Sequence, residues 1–268
     1  MSVARLVATC AALLVACTAP ERAPTAVARP VPAIYTAPGT VMKYSASLPA
    51  GWTRDRTWPV VVVIPDATRD FDGNLAAFAA AGATSPFVFV APHVVTSGGA
   101  RGYRDAPGFH YSAGDWAEVD RLGDFRFDEE GVASVIADVH VRFQGDERVY
   151  LTGWEAGGHT VWALLFRHPE RFRAVAPVTP NYVGRWLDAE HPVSQSGSPP
   201  SVKVFFCGTG CAPDDVRQNL RAQTQQALAL ARDHGFGEIP IEVREGTKHG
   251  PLATFVVDWF TALAAARR

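Results

Sequence analysis

The sequence is short of net charge, of cysteine and of long apolar runs. Its 25 Lys and Arg face 27 Asp and Glu, a formal net charge of −2 over 268 residues. So even a balance gives no electrostatic footprint for nucleic acid or for an anionic membrane surface as partner. The apolar run from Leu6 to Ala16 covers eleven residues, against the ~20 that a spanning helix needs. That excludes a transmembrane segment there and leaves the layout of an export signal, with Arg5 as a thin positive flank.

The four cysteines divide by position. Cys10 falls inside the signal. Cys17 follows Leu14-Val15-Ala16, which resembles the bacterial lipobox whose cysteine is lipidated and becomes the mature N-terminus. Loss of residues 1–16 removes Arg5 as their only charge, so the mature balance is 24 − 27 = −3. The expectation is an extracytoplasmic protein that meets the membrane only through a lipid anchor, with plain secretion or periplasmic release as the alternative. Cys207 and Cys211 are separated by Gly-Thr-Gly, and an oxidising compartment favours a disulfide between them. A metal site is the lesser expectation, because no third soft ligand is near them in sequence.

Thr18 to Thr40 is rich in Pro and Ala and reads as a tether. From Val41 onward strands and helices alternate. Val41–Leu48, Pro59–Ile64, Phe87–Val90, Arg148–Leu151, Ala174–Val178, Val202–Phe206 and Ile239–Val243 read as strands. The valine run at 60–63 has no alternation, as in a strand buried on both faces. Helices are expected at Asn74–Ala81, Asp128–Phe143, Gly157–Arg167, from Asp214 or Asp215 to His234, and from Leu252 onward. His93 to Gly114 reads as a long site-forming loop. The alternation predicts an α/β fold with a mostly parallel sheet covered by helices on both faces.

Residues 150–160 read Tyr-Leu-Thr-Gly-Trp-Glu-Ala-Gly-Gly-His-Thr, a strand end, a glycine-rich turn and a helix start. With Val-Val-Val-Val-Ile-Pro (60–65), Arg-His-Pro-Glu-Arg-Phe (167–172) and Lys-His-Gly (248–250), this order resembles α/β-hydrolase esterases. The nearest group is the secreted polyhydroxybutyrate-depolymerase and feruloyl-esterase-like one, over nearly all of the mature domain. The turn matches the G-x-S-x-G nucleophile elbow, with Gly153 and Gly157 as its glycines, but Glu155 stands where the serine belongs.

The resemblance implies further roles. His249 falls at the catalytic histidine's place. The triad acid should follow Val202–Phe206, where Asp214 and Asp215 are candidates either to orient His249 or to cap the next helix. The oxyanion hole would use the Ala156 N–H and one from Asp66 or Ala67, although an Asp66 carboxylate is a poor neighbour for an oxyanion. Trp154, His93, Tyr182 and Trp186 are candidate pocket walls, the last two in a lid-like insert from Thr179 to Pro200. His159 and His168 read as structural. No cofactor is implied.

Three chemistries remain for Glu155. A carboxylate attacking an ester forms a less stable mixed anhydride, so nucleophilic catalysis is the hardest. General-base activation of water, helped by His249, is easier. Asp66, Glu155 and His249 could also converge as hard metal ligands. The preferred reading is simpler: Glu155 pairs with protonated His249 and closes a dead site. The chain is then a relative that has lost or altered serine-hydrolase activity and is kept to bind a small-molecule or polymeric ester-like ligand.

Overall fold

The computed structural model describes residues 33–97, 104, 108–182, 193 and 199–266. Cys17 and Trp186 lie outside them. Nine strands form one sheet: β1 (Ile34–Thr36), β2 (Lys43–Ser47), β3 (Val60–Ile64), β4 (Val88–Pro92), β5 (Val149–Trp154), β6 (Phe172–Val178), β7 (Ser201–Val202), β8 (Val204–Cys207) and β9 (Ile241–Arg244). Their order is β1-β2-β4-β3-β5-β6-β8-β9, with β7 beside β6. β2 runs antiparallel to β1 and β4, and every later pairing is parallel. The helices are α1 (Phe71–Ala81), α2 (Ala113–Leu122), α3 (Asp124–Phe143), α4 (Gly157–Arg167), α5 (Asp214–Asp233) and α6 (Ala253–Ala265).

The sheet centre explains its composition. All five residues of β3 are buried, because β4 and β5 pair with its edges and helices cover it. Each fully buried valine or phenylalanine contributes roughly 1.5–3 kcal/mol, and Val60–Ile64, Phe87, Leu151, Val175 and Phe205 all lie in this core. α4 packs across β3, β5 and β6, while α1 packs on β2, β3, β4 and α6.

Three differences from the sequence reading have local causes. β1 lies inside the segment read as tether, since Ile34, Tyr35 and Thr36 pair with Ser45, Tyr44 and Lys43. α1 begins at Phe71 rather than Asn74, because the Asp70 side chain accepts from Gly73 N and caps it. α2 sits where only the end of a loop was expected; Ser112 and Asp115 form a capping box that starts it.

A buried carboxylate secures the chain leaving β4. Asp128 of α3 accepts from Val95 N at 2.9 Å, Thr96 N at 2.8 Å and Thr96 Oγ1 at 2.5 Å. Thr96 Oγ1 is also 2.5 Å from Thr160 Oγ1 on α4. Burial pushes the Asp128 carboxyl up to about 7, against the pull of its hydrogen bonds to Thr96 and Val95.

Candidate active site

Glu155 crowns a strained turn between β5 and α4, with φ +48°. Its N–H donates to Val178 O at 3.0 Å, and its carbonyl accepts from Gly158 N at 2.8 Å and Asn181 N at 2.9 Å. These bonds fix the backbone on both sides and leave the side chain to project alone. A left-handed non-glycine residue costs roughly 1–2 kcal/mol and persists only where its surroundings over-determine it. The glycines supply that surrounding. A Cβ on Gly153 would meet Val161 Cγ2 at 2.7 Å, one on Gly157 would meet Pro65 O at 2.3 Å, and one on Gly158 would meet Pro180 Cβ at 2.4 Å. Gly157 thereby brings the elbow against the loop after β3, which carries Asp66 and Ala67.

The loop after β9 delivers His249. Its Nε2 is 3.7 Å from Glu155 Oε2, with both side chains partly exposed. The Trp154 ring stands edge-on to the imidazole at 5.3 Å. Asp66 is buried, and its Oδ1 accepts from Thr68 Oγ1 at 2.6 Å and Thr68 N at 3.2 Å. Burial pushes the Asp66 carboxyl up against those hydrogen bonds; the charge of Glu155 adds to the rise and His249 opposes it. Asp66, Glu155 and His249 therefore share one electrostatic neighbourhood. They do not form a ligand set: among the described residues, the donor atoms that come within 4.8 Å of one another belong to Cys207, Cys211 and His249.

The acid side of the site departs from the sequence reading. Neither Asp214 nor Asp215 reaches His249. Both lie in the first turn of α5, whose N-cap is Pro213 with no side-chain cap bond, and Asp214 pairs with Arg217 at 3.0 Å. The turn between β8 and α5 holds the two acids out in solvent, where they suit the positive end of the helix dipole. What faces His249 Nδ1 is sulfur: Cys207 Sγ at 3.9 Å, in a disulfide with Cys211. No carboxylate meets that nitrogen among the described residues.

The remaining candidates separate clearly. Ala156 lies between the elbow apex and α4, and no described residue accepts from its N–H. The same holds for Asp66 N and Ala67 N. Arg69, unremarked in the sequence, is buried at φ +54° and donates from Nη1 to Ala67 O at 3.1 Å, bracing this loop. No local motif marks it. His93 is not a pocket wall; it is 1% exposed and stacked on Phe71 at 4.3 Å. Neither ring nitrogen has a hydrogen-bond partner among the described residues, and burial drives its imidazole down to about 3. Tyr182 is buried too, its N–H bonded to Gln223 Oε1 at 2.7 Å. His159 is buried in α4, and His168 Nε2 lies 2.6 Å from Glu129 Oε1, a structural contact.

No protein-family model and no curated protein matches the chain. Solved structures do. Poly(aspartic acid) hydrolase-1 from Sphingomonas sp. KT-1 superposes with a TM-score of 0.62 at 13% identity, over 88% of this chain and 98% of the other. The siderophore hydrolase EstB from Aspergillus nidulans gives 0.57 at 16% identity, over 90% and 97%. The poly(3-hydroxybutyrate) depolymerase LpqC from Bordetella parapertussis gives 0.55 at 19% identity, over 85% and 86%. At these identities the likeness concerns the fold, and the fold is that of the α/β-hydrolases.

Proposed function

We propose, from this α/β-hydrolase fold and its altered elbow, an exported lipoprotein of esterase and depolymerase descent that has lost serine-hydrolase chemistry. Its site serves to bind a small-molecule or polymeric ester-like ligand, and its contact with the membrane runs only through lipidated Cys17. One observation carries this reading. The position from which a nucleophile would attack holds a carboxylate, 3.7 Å from the imidazole that should take a proton there, and that imidazole has sulfur rather than an acid on its other nitrogen. A triad needs a hydroxyl or thiol, a base and an orienting acid; here two of the three are replaced. Fold supplies the frame and the site decides the chemistry.

A second reading rests on what survives. The backbone donors at Ala156 and Ala67 have no acceptor among the described residues, and the Glu155 side chain is 32% exposed. Water could reach that carboxylate, and an ester oxygen could meet those donors, which is the minimum for general-base hydrolysis.

Hydrolysis of short aryl esters by the purified chain, beside Glu155→Ala and Glu155→Ser, separates the two. A silent native protein with turnover gained in Glu155→Ser supports the loss of serine chemistry around an intact oxyanion hole. A native activity abolished in Glu155→Ala establishes the general-base reading in its place.

A further inference from the structure

Cys207 and Cys211 flank the turn at the end of β8 and His249 lies on the loop after β9, 42 positions on from Cys207. Cys207 ends β8, and its N–H donates to Thr179 Oγ1 at 3.3 Å. Cys211 closes a turn in which its N–H donates to Gly208 O at 3.3 Å and Gly210 takes φ +78°. Thr209 N donates to Glu245 Oε2 at 2.9 Å, fastening this turn to the loop that carries His249. The three donor atoms all lie within 4.8 Å of one another, and the Cys207 Sγ to His249 Nδ1 distance is 3.9 Å.

Those distances match a known geometry. Tetrahedral zinc, with Zn–S of ~2.3 Å and Zn–N of ~2.1 Å, sets a sulfur–nitrogen edge of about 3.6 Å and a sulfur–sulfur edge of about 3.8 Å. The sulfur–nitrogen edge is therefore in place to within a few tenths of an ångström. Opening the disulfide frees Cys211 Sγ, already within 4.8 Å of the imidazole donor atom, to move away from Cys207 Sγ and complete the remaining edges. The Cys-Gly-Thr-Gly-Cys spacing also lies in the range of cysteine pairs that share one zinc.

We propose that, once the Cys207–Cys211 disulfide is reduced, Cys207 Sγ, Cys211 Sγ and His249 Nδ1 bind a zinc-class divalent cation, with Glu155 positioning the imidazole through Nε2. A histidine bound through Nδ1 carries its proton on Nε2, and that nitrogen faces Glu155 Oε2 at 3.7 Å. A carboxylate on the far nitrogen of a metal-bound histidine fixes the ring and raises its basicity. The proposal thus gives the acid at the elbow apex a task that serine could not perform. It stands whether or not the chain hydrolyses esters.

The chemistry balances. An external dithiol passes two electrons and two protons to the disulfide and leaves as its own disulfide. Each liberated thiol loses its proton on binding the cation, so two protons are released per metal ion. Three protein ligands leave a fourth position for water or a ligand atom. The oxidised form, favoured outside the cytoplasm, holds the site closed.

The test is an anaerobic cobalt(II) titration of the full chain, reduced with a phosphine and checked for free thiols, beside the same chain kept oxidised. Expected are thiolate-to-cobalt charge transfer and intense tetrahedral d–d bands saturating at one cobalt per reduced chain, with neither in the oxidised chain. Cys211→Ser should lose the charge-transfer intensity of one thiolate, and Glu155→Gln should weaken binding by about 10–100-fold, with Glu155→Asp recovering part of it. A reduced chain with the Cys207 and Cys211 thiols free and no such bands overturns the site, and this comparison needs no variant. Unchanged affinity in Glu155→Gln overturns the role of Glu155.

Discussion

The Glu155 carboxylate and the His249 imidazole meet at 3.7 Å, one raised on the turn after β5 and the other carried on the loop after β9. Both side chains are open to solvent in part, at 32% and 25%, so their attraction when the imidazole is charged is worth only ~0–1 kcal/mol. The pair does not hold the fold together. Yet the chain keeps glutamate at φ +48°, a conformation that costs roughly 1–2 kcal/mol, more than the contact returns. An arrangement with no net stability to offer is where a candidate site is to be sought.

That comparison gives a stability prediction. Glycine reaches the left-handed region without a Cβ penalty, so Glu155→Gly should raise unfolding stability by about 1 kcal/mol, the strain released less the weak ion pair lost. The urea midpoint measures it. A Glu155→Gly protein less stable than the native chain would show that the carboxylate has a stronger partner than His249.

Two glycine substitutions should differ sharply. A methyl group on Gly157 meets the Pro65 carbonyl oxygen at 2.3 Å, which is backbone and cannot swing aside, whereas one at Gly250 meets nothing within 4 Å. Gly157→Ala should cost about 2–3 kcal/mol through strain at the elbow, and Gly250→Ala should fall within about 0.5 kcal/mol of the native chain. Equal thermal midpoints for the two variants would mean that the elbow relaxes freely.

His93 should mark the acid limb of stability. Its native imidazole is driven down to about 3 from 6.5, so below pH 6.5 the unfolded chain takes up a proton that the native chain refuses. The contribution is whole above pH 6.5 and is lost as pH falls towards 3, with a slope of up to about 1.4 kcal/mol per pH unit. His93→Leu should flatten that limb. At neutral pH it should also stabilise by about 1 kcal/mol, because it removes two buried nitrogens without a partner among the described residues and gives up ring contacts with Phe71 and His110. Denaturant midpoints at pH 7 and pH 5 check both; an unchanged pH 7 to pH 5 loss in His93→Leu would contradict the assignment.

The frame was legible wherever one local signal spoke alone. The unbroken valines of β3, the glycines after Trp154 and the spaced apolar residues of α3 each follow from a burial pattern that neighbours in sequence display. The capping box of Ser112 and Asp115 was equally readable, but the surrounding glycines made the segment look like loop. β1 was hidden because three residues in a proline-rich stretch become a strand only when β2 offers its edge. At the site, Glu155 and His249 were visible from the order of motifs, whereas the approach of Cys207 to His249 depends on β8 and β9 lying side by side. Asp214 and Asp215 misled because they follow β8 at a greater chain distance than the usual short loop, and the turn through Cys211 leaves the helix start in solvent.

The two rims of the sheet have a consequence of their own. One ends in β1, of three residues, and the other in β9, of four, where Glu242 and Arg244 pair with each other. Open strand edges invite neighbouring molecules to add strands and build fibres, and nature blunts them with brevity and charge. Such rims offer few backbone rungs for another copy to grip. A protein finished this way resists strand-to-strand assembly even where its own copies are concentrated.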